Sequence, residues 1–133
     1  MQIIHESFFD IIQKSIDMMP QDSIMPLKRG YLSSIEMLQS GIVVYLAFNK
    51  AFLKIMCKHF LSEEDPSEDA LIDMAKELTN LTVGRAKVIV QEKGSHFDIS
   101  TPKYLGIKLI KNYDKGLHFR LQSGRCSIFI RGQ

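Results

Sequence analysis

At 133 residues the chain is long enough for one domain and too short for two ordinary ones. Its 45% hydrophobic and 24% charged residues allow a real core and exclude wholesale disorder. The net charge of +2, from scattered basic residues with a mild excess in the last third, gives no basic stripe for nucleic acid. The longest strongly apolar stretch, residues 41–48, is far below the roughly 20 residues that span a bilayer.

In chain order, Ile4, Phe8, Ile11, Ile12, Ser15 and Met19 share one side of a helix, which predicts an amphipathic helix over 3–18 that ends before Pro20. Glu6 and Asp10 interrupt this segment and no basic run precedes it, so it is not read as a signal peptide and a cytoplasmic protein is expected. Residues 21–26 read as a connection. Two strands follow, over 31–38 and Ile42–Phe48, with Ser40-Gly41 as their hairpin turn. Asn49 is placed to cap a helix from Lys50 to Leu61. The acidic, proline-containing stretch 62–69 breaks the chain. A long helical pattern then runs over 67–92 and closes at Lys93-Gly94.

The last third reads as strands over 97–100, 107–111, 117–122 and 126–131, with residues 112–116 as a turn-rich linker. Adjacent strands after a long helix suggest antiparallel hairpins rather than parallel crossovers. The expected fold is α/β, one layered domain over 1–133, with a largely antiparallel sheet packed against long helices. Cys57 and Cys126 lack metal or redox spacing and read as reduced thiols. His5, His59, His96 and His118 share no ligand spacing, so no metal site is expected. The methionines stand mostly at apolar positions and read as core filler.

The long helix carries the chemistry. At about 100° per residue from Leu71, the residues Leu71, Ala75, Leu78, Thr82, Ala86 and Ile89 fall within about 60° of zero, with Met74 near the edge. Asp73, Glu77, Asn80 and Gly84 fall at about 200°, 240°, 180° and 220°. An acid, an amide and a glycine therefore line up on the face away from the core. A polar stripe is ordinarily just a solvated face. Here, however, it contains Asn80 and Gly84, both poor helix formers, and Gly costs about 1 kcal/mol against Ala in a helix interior. A glycine on an exposed face also lets another surface approach the backbone closely.

The segment from Asp73 through Glu77 and Asn80 to Gly84 resembles the signature helix of the CheX, CheC and FliY phosphatases. Residues 41–48 look like the buried strand that precedes the family's first core helix. Phe97-Asp-Ile-Ser-Thr-Pro102 looks like its strand ending in proline after the signature helix. One such helix and an N-terminal extension are more similar to CheX than to CheC, which carries two copies of the site.

The resemblance implies a phosphatase acting on the aspartyl phosphate of CheY-like receiver domains. It implies Glu77 and Asn80 as catalytic residues, with Asn80 holding the attacking water and Glu77 binding the receiver's active-site lysine. Asp73, Glu77 and Gly84 are then the partner-binding residues. The chain needs no cofactor of its own; Mg²⁺ is expected in the receiver substrate. A homodimer is implied as well; the charge distribution and the short apolar stretch, for their part, point to no nucleic acid partner and no membrane insertion. Two alternatives stay open: a non-catalytic adaptor of the same family that binds a receiver or a flagellar component, and a structural subunit that dimerises through an exposed strand edge.

Overall fold

The computed structural model describes residues 1–132, so Gln133, the last residue of the expected domain, lies outside the described residues. In chain order the elements are α1 (Gln2–Ile16), β1 (Gln21–Asp22), β2 (Arg29–Met37), β3 (Ile42–Phe48), α2 (Lys50–Leu61), α3 (Glu68–Glu92), β4 (Lys103–Leu109), β5 (Lys115–Leu121) and β6 (Gly124–Arg131). The strands form one six-stranded sheet in the order β1-β5-β6-β3-β2-β4, with every neighbouring pair antiparallel. The α/β architecture with an antiparallel sheet is thus the one the sequence predicts.

Strand alternation divides the apolar residues between two faces. Tyr31, Ile35, Val44, Leu46, Phe48, Phe119, Ile128 and Ile130 pack against the three helices as the main core. Leu32, Tyr45, Ala47 and Phe129 point the other way, into a smaller cluster closed by Leu27, Ile110 and Tyr113. Cys57 and Cys126 are free and buried, and burial pushes both thiols up from their usual range.

Local chemistry sets the helix ends. The Asn49 Oδ1 accepts from the Phe52 N–H at 2.9 Å, which caps α2, and from the Arg125 N–H at 2.8 Å, which ties that cap to β6. A Cβ at Gly124 would lie 2.7 Å from Phe52 Cα, so only glycine permits α2 to seat this closely on β6. Helix α2 ends at Ser62, held left-handed at φ 58°.

The departures from the sequence reading have physical causes. Residues 97–100 form no strand. They make a single bridge, Ile99 to Met37, and are held by Asp98, which accepts from Gln39 Nε2 at 2.7 Å. Strand β4 starts at Lys103 rather than 107, because Gly106 (φ 104°) lies in a bulge opposite Leu32 and Ser33 and does not end the pairing. Strands β4 and β5 are not a hairpin but lie apart in the sheet. The linker between them crosses the outer sheet face, where Ile110 is buried and the Tyr113 ring sits 4.5 Å from that of Phe129. The expected connection over 21–26 contains the two-residue strand β1, paired to β5.

Candidate active site on the long helix

Helix α3 is fixed along its length. The Ser67 hydroxyl accepts from the Ala70 N–H at 3.1 Å, and Glu68 and Asp69 occupy the first turn, where the helix dipole favours anions. The Tyr31 hydroxyl donates to Glu68 Oε1 at 2.8 Å, joining the start of α3 to the sheet. Burial, with the Glu68 carboxylate beside it, pushes this phenol up to about 12, so it stays a donor. Farther along, Arg85 Nε donates to Asp10 Oδ2 at 3.2 Å and holds α3 against α1.

The buried face comprises Leu71, Met74, Ala75, Leu78, Thr79, Thr82, Val83, Ala86 and Ile89. It includes every residue of the predicted core face and adds Thr79 and Val83. The arc is wider than a one-sided helix would show because α3 lies on the sheet and also against α1 and α2. The Thr79 and Thr82 hydroxyls donate to the carbonyls of Ala75 and Leu78 at 2.8 and 2.7 Å, so neither is buried unpaired.

On the opposite face Asp73, Glu77 and Asn80 are exposed and Gly84 is half-buried. All four predicted site residues therefore share one surface stripe. Among the described residues, the side chains of Asp73, Glu77 and Asn80 take part in no hydrogen bond or ion pair. A Cβ at Gly84 would meet nothing within 4 Å, so the glycine serves no packing need inside the molecule. A carboxylate and a carboxamide one turn apart can each hold a hydrogen-bonding group brought from outside. The carboxamide can also accept from and donate to water without being ionised.

The structure adds a feature that the sequence reading missed. Beside Asp73 and Glu77 lies a groove of about 420 Å³, lined also by Phe60, Leu61, Glu63, Ala70 and Met74. Phe60 and Leu61 are 39% and 50% exposed. Their signal in the sequence is two large apolar residues in the last turn of α2, directly before the acidic break. Among the described residues, no group of three or more His, Cys, Asp or Glu could hold a metal ion, and no helix is long and apolar enough to cross a membrane.

No curated protein matches the chain. Among solved structures, the chemotaxis protein CheX from Vibrio vulnificus is 22% identical, with a TM-score of 0.83 over 98% of this chain and 93% of that one. A chemotaxis protein CheX from Desulfovibrio desulfuricans is 16% identical, with a TM-score of 0.76 over 99% and 97%. A CheX–CheY–BeF₃–Mg²⁺ complex from Borrelia burgdorferi contains a chain 14% identical, with a TM-score of 0.72 over 98% and 96%. These likenesses share the fold. A sequence model of the family described as chemotaxis phosphatase CheX matches residues 33–122, which run from β2 through α3 to the end of β5, and by that match the chain belongs to the CheX family.

Proposed function

We propose that this protein hydrolyses the aspartyl phosphate of a CheY-like receiver domain, working in the cytoplasm without a cofactor of its own. The observation that carries the reading is the pairing of Glu77 and Asn80, one turn apart on the exposed face of α3 and free of partners among the described residues. Two further findings support it: membership of the CheX family, and the Borrelia complex of a CheX with CheY, BeF₃ and Mg²⁺.

In this reading the receiver brings the acyl phosphate with its own Mg²⁺ and lysine as parts of the substrate. What remains to be supplied is a water in line with the scissile P–O bond. The Asn80 carboxamide holds that water. The water oxygen bonds to phosphorus and the bond to the aspartyl oxygen breaks, leaving a free aspartate carboxylate and inorganic phosphate. No covalent intermediate on this chain is needed, and fixing the water removes an orientational part of the barrier. Glu77 binds the receiver's lysine through a charge-assisted contact, and Asp73 extends that anchor. Gly84 lets the receiver approach the helix backbone.

The test is the decay of a Mg²⁺-loaded, phosphorylated CheY-type receiver with and without the protein. Faster decay is expected. Unchanged decay alongside measurable binding would replace the phosphatase with the adaptor reading. The proposal includes a homodimer, which the edge strand β4 favours: Ile107 and Leu109 stand exposed on it.

A further inference from the structure

The catalytic stripe is flanked by unlike surfaces. On the α2 side lies the groove of Phe60, Leu61 and Met74 with three carboxylates, Glu63, Asp73 and Glu77. On the other side, by helical position, come Lys76 and Lys87, the latter 3.7 Å from Asp98. The stripe alone offers three polar side chains and a bare glycine, too little for a specific interface of standard size. Phe60 and Leu61 are large apolar side chains of that groove that solvent reaches. The left-handed turn at Ser62 leads the chain away after them, and Glu63 then returns to the groove. The C-terminal end of α2 adds its own partial negative charge there. Lys58 and His59 stand in that last turn but do not line the groove.

We propose that this groove is the specificity surface for the receiver: it takes a segment next to the phosphorylation site in which an apolar side chain is flanked by a lysine or arginine. This rests on the receiver reading of the stripe. Phe60 and Leu61 cover the apolar side chain, while Glu63 faces the cation beside the lysine held by Glu77 and Asp73. Lys76 on the far side of α3 repels the same segment, so the charge pattern favours one docking orientation. Exposed aromatic anchors near an interface centre commonly carry much of its binding energy.

The experiment measures steady-state dephosphorylation of a phosphorylated CheY-type receiver by wild type, by the double variant Phe60→Ser/Leu61→Ser and by Glu63→Lys. Circular dichroism checks each fold. Each variant is expected to raise KM about tenfold or more with kcat within about twofold, because the groove binds the receiver without touching the reacting atoms. If the double variant does not fold, Glu63→Lys, at an exposed loop position, decides. An active wild type with unchanged KM in the folded variants, or with kcat lost instead, overturns the groove and leaves the receiver reading standing. A wild type that does not accelerate decay overturns both.

Discussion

Gly84 shows how a residue can be chosen against the interest of its own helix. Its position has room for a Cβ, yet the sequence keeps glycine in the interior of a 25-residue helix. Gly84→Ala should therefore stabilise the free protein by about 0.5–1 kcal/mol, read as a Tm rise of a few degrees. The same methyl group should weaken binding to the phosphorylated receiver. Glu77 behaves differently. It has no partner among the described residues, so Glu77→Ala should leave Tm nearly unchanged and remove about 1.5–3 kcal/mol of receiver binding, measurable by titration against a beryllofluoride-loaded receiver. Both positions stand out in the sequence because a stripe of Asp, Glu, Asn and Gly on one helical face departs from what propensity alone would select, and the structure keeps that stripe on the surface. Phe60 and Leu61 were not singled out: at the end of an amphipathic helix, large apolar residues read as core until the left-handed turn at Ser62 shows that they stay exposed.

At the scale of elements, α3 separates a buried core face from the face proposed to meet the receiver. Leu78 is fully buried in the main core, and Leu78→Ala should cost about 2–5 kcal/mol in denaturant unfolding. Its expected effect on turnover, once corrected for folded fraction, is small. The three helices were legible to within two residues at nearly every end, because caps such as Asn49 and Ser67 and stops such as Gly94 are local chemistry. Strand ends were less so. The bulge at Gly106 is stabilised by pairing with Leu32 and Ser33, residues more than seventy positions earlier, and no local signal announces it.

For the whole molecule, the sheet order was the least legible property. Each strand run could be read, but the separation of β4 from β5 depends on the apolar linker residues Ile110 and Tyr113 covering the outer face of the sheet. That face needs a cover because Leu32, Tyr45 and Phe129 point into it. The same order leaves β4 as a seven-residue edge, so light scattering coupled to size exclusion should give twice the chain mass at micromolar concentration. A monomer throughout would count against the dimer.

The central claim is that Asn80 positions the water for hydrolysis of the receiver's aspartyl phosphate. The most direct measurement is phosphate release from a Mg²⁺-loaded, phosphorylated CheY-type receiver, with wild type and Asn80→Ala side by side and receiver binding measured for both. The expected result is a roughly 100-fold or greater loss of turnover in the variant, with its fold and its binding retained. Equal turnover by wild type and a folded Asn80→Ala would contradict the account.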